Sequence, residues 1–291
     1  MVTALSFWRD LSLPFIEARI VPDGREVHYD KHSHDVFSVG AITSGRSVYW
    51  NEDQAQEVST GTVVLMNAGD VHACNPIQDS PWSYIMFYVD VEWLKHLQKD
   101  LGVDVRTGMQ RFETRLSRDP VLFHALSALY ATCTDVSNDV LLKQTAVFDF
   151  FILLHQVLKV VPELRLDTNP KLKQAADFIA QHCTENLSLN DICAASGLSP
   201  SYLIRAFKRQ YGMTPHAHMV NRRILFAQQQ LKAGQAIADV ALAAGFADQA
   251  HFQRIFKRLV AATPRQYSTS IKSPSTINTP HSWQVNMPLS G

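Results

Sequence analysis

The chain has 291 residues, of which 46% are hydrophobic and 19% are charged. This length suits two ordinary domains, and the composition excludes a fibrous or wholly disordered protein. The formal net charge of zero hides an asymmetry: residues 1–168 carry 14 Lys and Arg against 22 Asp and Glu, whereas residues 169–291 carry 13 against 5. A basic half of this kind favours a nucleic-acid partner, and a solvated basic surface is the alternative.

No segment predicts secretion or a membrane span. The longest apolar stretch, Val147 to Val161, is interrupted by Asp149 and Lys159. Residues 1–13 include charges where a signal peptide would need an apolar core. We therefore expect a cytoplasmic protein without a membrane partner. The cysteines form no Cys-x-x-Cys pair, so we expect them to be reduced and buried: Cys74, Cys133, Cys183 and Cys193.

The first 90 residues predict β structure, because short runs of β-branched and aromatic residues alternate with Gly, Pro, Asn and Asp turn signals. The clearest predicted strands are Val36–Val39, Arg46–Trp50, Gly61–Met66 and Trp82–Val89, and Ser44–Gly45 is one of the predicted turns. Many short strands at this spacing favour a sandwich or a small barrel.

The last of these strands carries a candidate ligand-binding face. Trp82, Tyr84, Met86 and Tyr88 lie on one face by period two, and they combine aromatic bulk with polar tips as a small-molecule pocket does. The opposite face is apolar apart from Ser83, so core packing can claim either face.

Three histidines resemble part of a known metal site. His32, His34 and His72 match the histidines of the two motif regions of the cupin barrel, but the glutamate that metal-binding cupins have four residues after the second histidine is Ser38 here. Three imidazoles can hold a divalent ion. We expect instead that these histidines help to bind a small-molecule effector without a metal cofactor, with hydrogen-bonded loop histidines as the alternative.

Residues 91–161 change to helical periodicity. Asp119-Pro120 is a helix start, and Ser137 or Asn138 is the predicted cap of a longer helix. The two amphipathic helices are predicted either to cover the open side of the barrel or to form a dimer face. The Pro, Asp, Thr and Asn content of residues 164–170 predicts a linker.

The C-terminal part of the chain repeats itself. The segment Gly197–Arg209 is echoed by Gly245–Arg258, and each ends in Phe-Lys-Arg followed by a Thr-Pro pair. The glycines are 48 residues apart and the Phe-Lys-Arg triplets 49, so the second turn has one extra residue. Caps are predicted at Ser188, Ser199 and Asp248. A duplicated helix-turn-helix is the simplest interpretation.

The outward positions of the second helix of each unit are the candidates for contact with DNA. In the first unit they are Ser201, Tyr202, Ile204, Arg205 and Lys208; in the second they are Gln249, Ala250, Gln253, Arg254 and Lys257. Glutamine pairs with adenine and arginine with guanine, whereas basic residues later in each helix suit phosphates: Lys208, Arg209, Lys257 and Arg258.

The second repeat has the pattern Ile237-Ala238-x-Val240-Ala241, Gly245-Phe246, Asp248-Gln249, His251-Phe252 and Arg254-x-Phe256-Lys257-Arg258. This pattern closely resembles that of the AraC/XylS family of bacterial transcription regulators. The resemblance implies an α+β two-domain protein: a cupin-like effector-binding and dimerisation domain (1–163, with the barrel at about 10–90 and helices at about 91–161), a linker (164–170), an all-α double helix-turn-helix domain (171–268) and a flexible tail (269–291). It implies double-stranded DNA, a small-molecule effector, a second copy of the chain and RNA polymerase as partners. It also implies base contacts at Ser201, Ile204, Arg205, Gln249, Gln253 and Arg254.

The repeat departs from the family pattern at Ala261, which stands where Gly212 stands in the first unit. A position that needs positive φ would be strained there. The alternative function is a metal-dependent cupin enzyme using His32, His34 and His72, but the sequence has no obvious acid, base or nucleophile constellation. An activator is expected from the resemblance, although the residues themselves do not distinguish an activator from a repressor, nor do they identify the effector or the operator.

Overall fold

The computed structural model describes residues 5–51, 54–78, 80–162, 169–269 and 271–272. An antiparallel β domain comes first and a helical domain follows. The larger strands are β1 (Ser6–Arg9), β2 (Ile16–Val21), β3 (Phe37–Asn51), β4 (Gln54–Ser59), β5 (Val63–Met66), β6 (His72–Pro76) and β7 (Trp82–Val89). Two-residue strands follow as β8 (Arg111–Phe112), β9 (Leu116–Ser117), β10 (Val160–Val161) and β11 (Ile271–Lys272).

Strand β3 organises the barrel. Its first part pairs with β7 and β5, and its second part pairs with β4 and β6. The prediction of two strands separated by a turn at Ser44–Gly45 is wrong, because β3 is one strand of 15 residues. A bulge between Ile42 and Ser44 bends it, and Gly45 has a φ of 72°. A side chain at Gly45 would lie 2.0 Å from the Pro81 carbonyl oxygen, so only glycine fits there.

Helices α1 (Val91–Asp100), α2 (Pro120–Thr134) and α3 (Val140–Val157) cover one face of the barrel. Phe37 and Phe87 of the sheet are buried in one cluster with Leu126 and Phe151 of the helices. Asp119 caps α2 as predicted. The cap of α3 is Asp139 rather than Ser137 or Asn138, because the Asp139 carboxylate accepts the Leu142 N–H.

Helix α3 is the one helix among the described residues that is long and apolar enough, by length and composition alone, to cross a membrane. Its inner face packs into the barrel core through Val147, Phe150, Phe151 and Leu154. This packing is what the core helix of a folded domain shows. Its outer face keeps Leu141 and Phe148 in solvent, 72% and 40% exposed.

The C-terminal domain contains α4 (Pro170–His182), α5 (Leu189–Ser196), α6 (Pro200–Tyr211), α7 (Pro215–Lys232), α8 (Ile237–Ala243), α9 (Gln249–Val260) and α10 (Pro264–Ser268). Ser188 and Asp191 form a capping box on α5, and Asp248 caps α9, as predicted. Ser199 is the cap residue of α6, without a side-chain hydrogen bond. The predicted linker overlaps residues 163–168, which lie outside the described residues. Its last two positions belong to α4, because Asn169 is the cap and Pro170 the first helical residue.

The first and last described strands pair with each other. Residues Trp8 and Arg9 of β1 pair in parallel with Ile271 and Lys272, so the predicted flexible tail of residues 269–291 includes a strand at its start. Residues 273–291 lie outside the described residues. Phe7 of β1 is buried in the hydrophobic core of the second helix-turn-helix unit, together with Phe252, Phe256 and Tyr267. Strand β1 therefore belongs to the barrel sheet and to the helical core at once.

Two of the four cysteines are buried, namely Cys133 and Cys183, and all four are free. Cys74 and Cys193 are half-buried, so the expectation of burial is wrong for these two. Cys74 lies on β6 beside the barrel interior, where its Sγ is 3.3 Å from the Ser47 hydroxyl.

Candidate functional site

The barrel interior contains a cavity with about 410 Å³ of space not filled by protein atoms. All six residues predicted to bind a ligand line it: His32, His34, His72, Trp82, Tyr84 and Met86. Tyr88 lines it too, so the period-two face of β7 points inward, whereas Phe87 and Val89 on the other face pack towards the helices. The cavity has the aromatic lining, with a few polar groups, that is typical of small-molecule sites.

Two aromatic rings build one wall of this cavity. Trp82 stacks on Tyr84 with 4.8 Å between ring centroids, and its indole N–H donates to the Gly24 carbonyl at 2.8 Å. The hydroxyls of Tyr84 and Tyr29 share a hydrogen bond of 2.7 Å. Burial raises the pKa of both phenols, so they stay neutral and act as hydrogen-bonding groups.

The three histidines form a compact cluster, with ring centroids 4.5–5.0 Å apart. The Nδ1 atoms of His32 and His72 lie 2.8 and 2.9 Å from the carbonyls of Asp30 and Asp70. Because a carbonyl only accepts, these Nδ1 atoms carry the proton and leave Nε2 as a lone-pair donor. Burial lowers the pKa of all three imidazoles, so they are neutral at pH 7.

Three neutral imidazoles whose ring nitrogens lie within 4.8 Å of one another satisfy the first requirement of a divalent-metal site. Ser38 occupies the position of the cupin glutamate, and its buried hydroxyl has no hydrogen-bond partner among the described residues. The histidines therefore fit a metal in number and tautomer, but the anionic ligand of the cupin set is missing.

A second cavity, of about 660 Å³, lies between the barrel and the helical domain. It shares Tyr29, His34 and Tyr88 with the barrel cavity, so the two spaces adjoin. Glu17 and Arg19 of β2 and Lys232 of α7 also line it. None of these three was predicted from the sequence. The available signal was the alternation of β2, where Arg19 falls between the apolar residues Ala18 and Ile20.

Arg19 connects the sensor barrel to the end of α9. It is 1% exposed, and its Nη1 and Nη2 donate to the carbonyls of Val260 and Ala261 at 2.7 and 2.9 Å. A cation at a helix C-terminus satisfies carbonyls that have no partner within the helix. Ala261 ends α9 with a φ of 48°, so the position opposite Gly212 does adopt the left-handed conformation that the sequence identified as strained.

Within the described parts of the chain, three ion pairs cross between the domains, each joining an acidic barrel residue to a basic helical one. They are Glu17–Lys232 at 2.9 Å, Asp35–Arg222 at 2.7 Å and Asp30–Arg258 at 2.5 Å. Asn221 also exchanges hydrogen bonds with Ser33. Part of the charge asymmetry between the two halves is therefore complementarity within the molecule, which sequence counting did not anticipate.

The ten residues predicted to face DNA are all exposed. On α6 they lie opposite the buried Leu203 and Phe207, and on α9 opposite the buried Phe252 and Phe256. Two of them already have partners: the Tyr202 hydroxyl accepts from Asn169 at 3.2 Å, and Arg205 Nε donates to the Ser201 carbonyl at 3.2 Å. The side chains of the five residues on α9 make no such hydrogen bond or ion pair with other described residues.

A β barrel with an internal cavity, joined to two helix-turn-helix units, defines a regulator with a ligand-binding domain and a DNA-binding domain. Comparison with known families agrees: residues 16–147 match the AraC-like ligand binding domain, and residues 192–270 match a helix-turn-helix domain. The chain belongs to the AraC/XylS family of transcription regulators.

Relatives match most of the chain in sequence, and a solved structure shares its fold. The chain is 27% identical over 231 residues to the HTH-type transcriptional regulator YbfI of Bacillus subtilis, covering 77% of this chain and 81% of YbfI. It is 21% identical over 240 residues to the transcriptional activator RhaR of Mannheimia succiniciproducens, covering 81% and 86%. Its fold is similar to that of ToxT from Vibrio cholerae with unsaturated fatty acid bound, with a TM-score of 0.56 at 15% identity, covering 92% and 96%.

The protein is therefore a ligand-responsive, DNA-binding transcription regulator and not an enzyme, since the proteins that share its domains are transcription regulators. The alternative of a metal-dependent cupin enzyme is set aside for the same reason.

Proposed function

We propose that α6 and α9 are recognition helices that lie in two successive major grooves on one face of the duplex, about 34 Å apart. The observation that carries this proposal is the pair of exposed rows, five residues on each helix, opposite faces that are fully buried. A helix held by its apolar face offers the other face to base edges.

The two helices should read DNA unequally. The α9 row contains Gln249, Gln253 and Arg254, which are suited to adenine and guanine, whereas the α6 row offers mainly Arg205 beside the small Ser201 and the apolar Ile204. We infer that the half-site read by α9 is specified by hydrogen bonds. The half-site read by α6 then depends more on thymine methyl groups and DNA shape.

Selection of bound duplexes from a random DNA library, followed by footprinting, tests this proposal. Arg254→Ala should weaken binding to the selected duplex by about 1–3 kcal/mol and leave binding to random DNA nearly unchanged. Lys257→Ala is the matched control one turn further on, and it should weaken binding to both DNAs alike. Equal losses for Arg254→Ala on both DNAs would contradict direct base reading.

We further propose that the barrel cavity binds the small-molecule effector through its histidine, tyrosine and tryptophan lining, without a metal. The ToxT structure with a bound fatty acid supports an effector inside this fold. Elemental analysis of protein purified without chelator tests the metal-free site. Stoichiometric metal that is lost in His72→Ala would contradict it.

The remaining partners follow the family. We infer a homodimer, with the exposed outer face of α3 as the contact, because Leu141 and Phe148 lie seven residues apart on the same side of that helix. We also infer activation through RNA polymerase in the cytoplasm. The division into 1–163, 164–170 and 171–268 is the working domain map, and partial proteolysis at residues 164–170 tests it.

A further inference from the structure

One buried charge between the two cavities has no ionic partner. Among the described residues no Asp or Glu pairs with Arg19, and its Nε is buried without a hydrogen-bond partner of normal geometry. The side chain that interacts with its guanidinium through a polar atom is the neutral Tyr88 phenol. Three rings surround its guanidinium carbon, with the centroids of Phe7, Tyr29 and Tyr84 at 5.2, 5.6 and 5.9 Å. The other charged residue on the same face of β2, Glu17, is bound by Arg9 and Lys232 instead.

Such an environment favours an anion. Burying a guanidinium without a counter-charge is costly, and two neutral carbonyls compensate for it only in part. The planar guanidinium matches the two oxygens of a carboxylate, and a charge-assisted hydrogen bond is about twice as strong as a neutral one. A carboxylate would therefore be a stronger partner for Arg19 than the two carbonyls that it binds in this structure.

The shape of the two cavities indicates what carries the anion. Arg19 lines the cavity between the domains, and that cavity meets the barrel cavity at Tyr29, His34 and Tyr88. The barrel side has an aromatic and aliphatic lining that includes Trp82 and Met86, which suits an apolar body. A molecule that fills both spaces is apolar at one end and negatively charged at the other.

We propose that the effector is a small organic carboxylate whose apolar body lies in the barrel cavity and whose carboxylate pairs with Arg19. This inference rests on the proposed effector role of the cavity and adds the ligand class. The carbonyls that bind Arg19 belong to Val260, the last residue of α9, and to Ala261, its C-cap. A carboxylate is a stronger acceptor than these carbonyls and competes with them for the position of the guanidinium. Effector binding therefore draws Arg19 away from the carbonyls and loosens the contact between the barrel and the second recognition helix.

Calorimetric titration of the full chain with matched acids and amides tests the ligand class. The probes are octanoate and octanamide, 4-phenylbutyrate and 4-phenylbutyramide, and benzoate and benzamide. At least one acid should bind tenfold or more tightly than its own amide. No binding by any of the three acids at millimolar concentration, or equal binding by acid and amide in every pair, would overturn the proposal.

Arg19→Gln should remove the preference for the acid, and Arg25→Gln, which changes an exposed barrel arginine, should keep it. Circular dichroism establishes that each variant is folded. If Arg19→Gln does not fold, Arg19→Lys replaces it, and a fall in acid affinity of at least tenfold is expected because lysine lacks the planar pair of donors. An unchanged preference in a folded Arg19 variant would refute the role of this residue.

Hydrogen exchange tests the competition. The Asp30 amide donates to the Arg258 carbonyl at 2.9 Å across the domain contact, so a peptide containing Asp30 should exchange at least tenfold faster with saturating acid. Unchanged or slower exchange would refute the loosening. Failure of the proposed DNA-binding function is distinguishable, because it would appear as no duplex selected from the random library, whatever the titrations with acids show.

Discussion

Asp30 of the barrel holds Arg258 of α9 by two contacts: its carboxylate lies 2.5 Å from the guanidinium, and its amide donates to the Arg258 carbonyl at 2.9 Å. Arg258 is one of the residues that the sequence assigns to DNA phosphates. The Arg258 guanidinium cannot pair with Asp30 and with a DNA phosphate at the same time. The arrangement of domains in this structure therefore withholds one predicted phosphate contact from DNA.

Removing the Asp30 charge should release this contact. Asp30→Asn is expected to tighten binding to random duplex about two- to fivefold at low salt, the range for an exposed ion pair. The slope of log affinity against log salt should steepen by about one unit, since one more phosphate is neutralised. Asp23→Asn is the matched control, because Asp23 pairs with Arg25 on the surface of the same domain and not with a residue of the helical domain. Equal tightening in both variants would indicate a general charge effect.

The ends of α6 and α9 should respond oppositely to exchange between glycine and alanine. Gly212 and Ala261 both have positive φ, at 70° and 48°. Gly212→Ala should lower the free energy of unfolding by about 1–2 kcal/mol, because its Cβ enters the left-handed region and lies 3.2 Å from Val71.

Ala261→Gly relieves the same strain but removes a buried methyl group worth about 0.8 kcal/mol. We expect no loss and a gain of up to about 1 kcal/mol, measured by urea denaturation. A loss above about 1 kcal/mol would show that packing of Ala261 against the barrel outweighs its backbone strain.

The Ala261 case shows what local sequence can and cannot predict. The repeat fixed the turn, the caps and the exposed rows of α6 and α9, because these depend on residues close together in the chain. Period two likewise predicted which residues of β7 share a face, although the sequence alone did not decide which of the two faces lines the cavity. The continuation of one strand through Ser44 and Gly45 was not predictable, since these residues pair with Ser83 and Trp82 of β7, which is distant in the chain.

The contacts between the two domains could not be predicted from local sequence patterns at all. Arg19 binds carbonyls more than 240 residues away, and Phe7 completes a core formed by α7 to α10. No spacing rule connects such positions. The charge asymmetry favoured a nucleic-acid partner or a solvated basic surface, whereas part of it is satisfied by ion pairs that join residues far apart in the chain.

The outer face of α3 should control association. Leu141→Glu combined with Phe148→Glu places two charges in the proposed dimer contact and should weaken self-association at least tenfold, measured by sedimentation equilibrium. Leu11→Glu is the control, because Leu11 is 88% exposed in the loop between β1 and β2. A monomeric parent protein, or a dimer that the double variant leaves intact, would contradict the assignment of this face.

Acidification should destabilise the protein through its histidine cluster. Burial holds the pKa of His32, His34 and His72 below the ordinary value of 6.5, so the unfolded chain binds more protons than the folded one below that pH. Stability is therefore fully present above pH 6.5 and is lost as the pH falls. A histidine that is neutral in the folded chain and protonated in the unfolded chain contributes at most about 1.4 kcal/mol per pH unit. His155 and His218, whose pKa values burial also lowers, add to the contribution of the cluster.

Urea denaturation at intervals between pH 7.5 and pH 5 measures this slope, above the range in which most carboxylates titrate. His72→Gln keeps a polar side chain but removes one of the titrating groups, so it should make the slope measurably shallower than that of the parent protein. His124→Gln, at an exposed position on α2, should leave the slope unchanged. If His72→Gln and His124→Gln show the same slope as the parent, the buried imidazoles are not the groups that take up protons on unfolding. Protonation would then have to occur elsewhere, and the neutral cluster proposed for effector binding would lose its support.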